Sequence, residues 1–220
     1  YTFPKSDTFF KRIFRNDFET YGRLHCGALQ GLPRQFRPYL TFNAKPTVEV
    51  DVVSSHLLIA YALSDYDLTD KPPAYSLKGI ASSKDDGDIA KINRTILKQC
   101  LLSMINTRNV RDCSDALLRW YVDWESKTGW PDTDYLRRIA IRLDEYSADE
   151  HHMFNGNYSS YVIAKAMYSK HELYISAYLS DKSAGLKLMY IESEIIFDAV
   201  NHFVNKGVYC LPVHDSIRIE

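Results

Sequence analysis

The stretch Val48–Leu63, VEVDVVSSHLLIAYAL, decides how the rest of the chain is read. Three valines alternate with two acids, and β-branched side chains favour the pleated backbone. Ser54 or Ser55 can cap a helix, and HLLIAYAL carries it on. The reading is strand, turn, helix, with Asp51 where the strand ends and Glu49 read as pointing off the Asp51 face. One carboxylate in such a place is ordinarily a turn residue or a helix cap.

A second acid has the same setting. In GVYCLPVHDSIRIE, Gly207–Glu220, an apolar run meets His214-Asp215 and then resumes with Ile217 and Ile219. This reads as a hairpin. If its strands join Val48–Val52 in one small sheet, Asp51 and Asp215 arrive at one spot. Two carboxylates brought together repel unless a cation bridges them. Mg²⁺ prefers hard oxygen ligands and commonly uses one or two carboxylates with substrate phosphates. Such a pair suits two-metal phosphoryl transfer.

Between them lies a helix opening near Asp88 and running to about Ile105, with Ile89, Ile92, Ile96, Cys100 and Leu101 read as its apolar face. Arg94 and Lys98 project from one side of it, and Leu102 and Asn106 continue that row. Two cations side by side either form a solvated basic face or await an anion such as a triphosphate.

The remainder is mostly helical. Residues 1–20 read as an amphipathic, partly helical lead-in with Lys11, Arg12 and Arg15. KPPAYSLKGIASSKDDGD is rich in breakers and reads as a loop. Two helices flank Gly129-Trp130-Pro131, another covers about 158–179, and the last runs 186–205, stopped by Gly207. The fold class expected is α+β.

Net charge is -1, so no global basic field announces a nucleic acid, although a local basic groove would average out. Cys26, Cys100, Cys113 and Cys210 are scattered, which reads as reduced thiols in an intracellular protein. The apolar stretches are too short to span a bilayer, and no signal-peptide pattern opens the chain, so neither membrane nor export is expected. The start at Tyr1 suits a segment of a longer protein with further domains. His151, His152 and His171 lack zinc-like partners at suitable spacing and read as a surface loop. Trp120, Tyr121 and Trp124 offer stacking surfaces but lie at core-packing intervals.

Taken in order, these pieces resemble the palm and fingers of the A-family, or single-subunit, nucleic-acid polymerases. YGRLHCGALQGLPRQFR, Tyr21–Arg37, is similar to the family's segment ahead of the first catalytic Asp. VEVDVVSSHLLIAYAL resembles motif A, Arg94-xxx-Lys98 resembles motif B, and VHDSIRIE resembles motif C in its His-Asp-Ser form. The resemblance implies a palm at 21–65 and 186–220 holding a small antiparallel sheet. It implies a mainly helical fingers region at 66–185, with motif B near 91–106.

It also implies that Asp51 and Asp215, with the Val52 carbonyl, hold two Mg²⁺ ions (Mn²⁺ being an alternative). Arg94 and Lys98 would take the phosphates of a nucleoside triphosphate, Lys98 also giving a proton to pyrophosphate. Arg23, Gln30 and Arg37 would lie along a DNA primer–template, or an RNA one, with His214 at the primer end and Glu192 or Glu194 near the duplex. The implied activity is template-directed nucleotidyl transfer in the cytoplasm, in a bacterial, phage or mobile-element setting. His56 stands where DNA-polymerising members carry a sugar-selecting Glu, and Leu102 and Asn106 replace the usual aromatics, which leaves sugar choice open. Residues 107–185 match no family segment. Two other readings stay open: a polymerase-derived module that binds nucleic acid or a partner protein, and a metal-dependent nuclease, which would need a third nearby acid.

Overall fold

The computed structural model describes residues 10–25, 30–64, 69, 74–82, 87–129, 134–143, 156–179, 183–213 and 215–220, and among them lie three small sheets and six α-helices. The class is α+β with small antiparallel sheets. The chain divides into two units, Tyr1–Ile59 with Gly185–Glu220, and Ala60–Ala184.

In the first unit, β1 (Lys11–Ile13) pairs with β2 (Arg23–His25), and β3 (Thr41–Phe42) pairs with β4 (Lys45–Pro46). The described part of the lead-in is therefore a hairpin arm and not a helix. Arg12 is consumed by pairing with Glu194 and Ser193, both far away in sequence, and with the nearby Gly22 carbonyl, while Arg15 lies over the Tyr21 ring. Gly22 has a φ of +60°, and a Cβ there would meet Tyr190 at 3.0 Å and Arg12 at 3.1 Å. Only a glycine lets this hairpin lie so close to the last helix.

The central sheet has the order β5 (Val48–Asp51), β7 (Ser216–Ile219), β6 (Cys210–Val213), all antiparallel. Helix α6 (Ala184–Asn205) covers one sheet face, where Leu24, Ile196, Cys210 and Ile217 are buried together. After α6, Gly207 adopts a φ of +73° and its N–H reaches the Val204 carbonyl, so the helix stops as its sequence suggests.

Helix α1 (Ser55–Leu63) follows the turn after β5. Neither serine hydroxyl caps it: Ser55 donates to Glu192, and the buried Ser54 Oγ has no partner among the described residues. Ser55 is already the first residue of the helix, past the position from which a side chain caps, and its hydroxyl is oriented by the Glu192 carboxylate.

The second unit is helical: α2 (Asp88–Asn106), α3 (Val110–Thr128), α4 (Asp134–Leu143) and α5 (Gly156–Leu179), with α5 packing on the other three. Its core is apolar, including Ile96, Leu97, Met104, Leu117, Leu136, Ile163 and Met167, each almost fully buried. Ile89, expected on this face, is 58% exposed; Ala90, Asn93 and Leu97 take the inner positions instead. Asn93 is tolerated there because it donates to the Ala81 carbonyl at 2.7 Å and accepts from Tyr135 at 2.8 Å.

His171 also departs from expectation. It is buried, with Nε2 donating to the Ala74 carbonyl at 3.3 Å and Nδ1 accepting from Tyr61. The carbonyl can only accept, which assigns the tautomer. Burial, aided by the neighbouring Lys170 charge, pushes the imidazole down to about 4, so it is neutral at physiological pH. His151 and His152 lie outside the described residues. Tyr121 is buried, as core packing requires, while Trp120 and Trp124 stack on each other half-buried. Cys100, Cys113 and Cys210 are buried free thiols, and Cys26 lies outside the described residues. Among the described residues no helix is long and apolar enough to cross a membrane.

Candidate functional site

The register of β5 on β7 sets the site. Asp51 pairs with Ser216, and Asp215 is the residue that enters β7 from the hairpin turn. Both acids thus lie at one end of one sheet. Val213 pairs with Ser216 where β6 and β7 meet; His214 lies outside the described residues. Asp51 and Val52 are exposed, and Asp215 is half-buried.

What pins this register is a cross-strand pair that the sequence reading missed. Glu49 stands opposite Arg218, whose Nη2 reaches Glu49 Oε2 at 3.0 Å while Nη1 donates to Thr47 Oγ1 at 2.7 Å. Arg218 is 4% exposed. A one-residue slip would bury that guanidinium without its carboxylate. The clue was present: VEV and IRI each carry one charge between two apolar residues, and antiparallel pairing sets the charges face to face.

Glu49 also corrects an expectation. Side chains two apart on a strand share a face, so Glu49 lies on the Asp51 side and not off it. Ser216 Oγ donates to it at 3.0 Å, and Arg37 approaches at 3.8 Å. Burial alone would raise the Glu49 carboxyl, but the Arg218 and Ser216 hydrogen bonds and the Arg218 and Arg37 charges hold it below the usual carboxylate range. It is a third acid on that face, yet its charge is already balanced by Arg218. A nuclease centre built on Asp51, Asp215 and Glu49 would have to break that pair.

A second charged hub lies on α6. Glu192, 4% exposed, accepts from Arg23 Nη2 at 2.6 Å and from Ser55, and His56 Nε2 lies 3.5 Å away. The last distance is too long for a well-made hydrogen bond, so His56 acts on the carboxylate by charge when protonated. Burial would raise Glu192, but His56, Ser55 and Arg23 outweigh it and bring the carboxyl down to about 2. Glu192 therefore does not face outward toward a duplex, and Glu194 is taken by Arg12. Gln30 donates to the Leu24 carbonyl at 2.7 Å, and Arg37 donates to the Leu32 carbonyl at 3.2 Å. Arg23, Gln30 and Arg37 thus each hold part of the unit's own framework.

In the helical unit, Arg94, Lys98, Leu102 and Asn106 form the row that their spacing requires. Lys98, Leu102 and Asn106 are exposed, and Asn106 donates to the Leu102 carbonyl at 2.8 Å. Arg94 is half-buried, its guanidinium 4.5 Å above the Tyr75 ring. Stacking orients the fork and leaves its N–H edges available for an anion.

Among the described residues no group of three or more His, Cys, Asp or Glu side chains could hold a metal. The chemistry of the sheet end still fits a hard divalent cation. Two carboxylates and the Val52 carbonyl are all oxygen donors at one sheet end, the donor type that hard divalent cations take. The chain matches no family model, and neither a curated protein nor a solved structure is similar enough to count as a match.

Proposed function

We propose that the chain is a template-directed nucleotidyltransferase of the A-family polymerase type, adding nucleotides to a primer 3′-hydroxyl. The observation that carries the proposal is the pairing of Asp51 with Ser216, which brings two acids far apart in sequence to one end of one sheet. Its second support is the Arg94–Lys98 row on α2, with Lys98 exposed and Arg94 half-buried over Tyr75.

In this reading Asp51, Asp215 and the Val52 carbonyl hold Mg²⁺, or Mn²⁺ in its place. Held there, the ions would supply Lewis acidity to the 3′-hydroxyl and to the pyrophosphate oxygens. The protein's own work is placement. Asp51 and Asp215 fix where the reacting oxygens sit, because the Glu49–Arg218 pair denies their strands any other register. Arg94, pre-oriented on Tyr75, binds β- and γ-phosphate oxygens, and Lys98 neutralises the leaving group and donates a proton to it. Base pairing with a DNA or RNA template selects the nucleotide.

The test is primer extension with deoxy- and ribonucleotides side by side, with Mg²⁺ present. Lys98→Ala is expected to lower kcat/KM for the nucleotide by on the order of 10²-fold while primer–template affinity stays within about threefold. An unchanged nucleotide response in that variant would leave α2 a merely solvated helix.

A further inference from the structure

A cleft of about 550 Å³ in the helical unit has no part in the proposed reaction. Its volume falls in the range of small-molecule sites. It is bounded by the loop Ser76–Gly79, by Arg142 near the end of α4 and by Lys170 on α5.

Three of its described lining residues, Lys78, Arg142 and Lys170, are cations, and none of the described ones is acidic. Lys78 and Arg142 are exposed at its mouth, whereas Lys170 is half-buried. Lys170 Nζ is aimed by two neutral acceptors on one residue, the Ser76 carbonyl and, at 2.9 Å, the Ser76 hydroxyl. Burial pushes its ammonium down to about 8, so the side chain still carries most of its charge at neutral pH. A part-desolvated ammonium that shares a cleft with two further cations favours a polyvalent anion, which offsets its lost hydration. Leu77, Leu143 and Ala166 give the same cleft an apolar wall.

The floor is firmly built. Ala74 is held by His171, Tyr75 lies under Arg94, and Ser76 is held by Lys170, so α2 and α5 together fix the segment that shapes the cleft.

We propose that this cleft is an anion site for a small phosphate-bearing molecule with two or more negative charges, its phosphates on Lys78, Arg142 and Lys170 and its apolar part on Leu77 and Leu143. The proposal does not depend on the polymerase reading, since it uses none of Asp51, Asp215, Arg94 or Lys98.

The test is calorimetric titration of the whole chain with pyrophosphate in the absence of Mg²⁺. The native chain is expected to bind, Lys78→Ala and Arg142→Ala each to weaken binding about three- to tenfold, and Lys170→Arg to keep it. An Arg94→Ala/Lys98→Ala double variant is expected to bind this probe as the native chain does. Binding lost in the double variant and indifferent to the cleft variants would overturn the proposal and assign the pyrophosphate to α2. Absence of binding by the native chain would also overturn it.

Discussion

The sheet-bearing unit and the helical unit both bury polar groups, but of different kinds. Among the described residues, the buried charged side chains, Glu192 and Arg218, belong to the sheet unit, each with opposite charge beside it. The helical unit buries neutral groups: Asn93, Ser114 against Ser160 at 2.8 Å, and His171 against Tyr61. Apolar helices pack well in several nearby arrangements, whereas an ion pair is satisfied in one. The sheet unit carries the two acids whose placement matters, and its buried charges forbid the alternatives. The helical unit needs a stable platform, and an apolar core serves for that.

The strongest way to break this contrast is Arg218→Ala. It removes a buried guanidinium and its bonds to Thr47 and to the exposed Glu49, and should lower stability by about 2–4 kcal/mol. Hydrogen exchange should show the loss in β5–β7 amides and much less in α2–α5. Equal loss of protection in both units would mean that the pair does not act locally.

Acid should separate the units next. An unfolded histidine takes a proton below about 6.5, but buried His171 resists until about 4. Its neutral burial therefore contributes fully above pH 6.5, and that contribution, about 3 kcal/mol at most, is lost as pH falls toward 4. Glu192, held down to about 2, keeps its contribution until pH passes below the ordinary carboxylate range near 4.5. Urea midpoints followed through α5 amides should thus decline between pH 6.5 and 4.5, while those of the sheet unit barely move. A His171→Leu variant with an unaltered slope in that window would contradict the assignment.

A smaller effect should sharpen the role of the hairpin. Gly22→Ala is expected to cost about 2 kcal/mol, from the left-handed backbone and from crowding against Tyr190 and Arg12. The loss should appear in β1, β2 and α6, as read by exchange at their amides. A neutral result would mean that the hairpin shifts freely away from α6.

Much of the local structure is legible in the sequence because local rules govern it. VEVDV alternates as a strand, the Asp88–Asn106 helix has its periodicity, and Gly207 ends α6 where a left-handed residue is required. The two acids could be paired because each followed a strand-like run. The misreadings have one physical source, partners far away in sequence. KRI looks like part of an amphipathic helix until Arg12 is seen bound to Glu194. Ser55 looks like a cap until Glu192 claims it, and His171 looks like a surface residue until Tyr61 and Ala74 enclose it. Ile89 lies in the first turn of α2, one position before the buried Ala90, so the inner face runs through Ala90, Asn93 and Leu97 and leaves Ile89 outside. Glu49 was the avoidable error, since the two-residue period of a strand already puts it on the Asp51 face.

The central claim is that Asp51 and Asp215 act as one pair. Its most direct test is single-nucleotide primer extension with Mg²⁺, comparing Asp51→Asn and Asp215→Asn with the native chain and checking each fold by urea denaturation. Both substitutions keep shape and remove charge, at an exposed and a half-buried position. Each should reduce incorporation by on the order of 10³-fold with little change in the urea midpoint. Near-native incorporation by either variant, or none by the native chain with any nucleotide, would contradict the account.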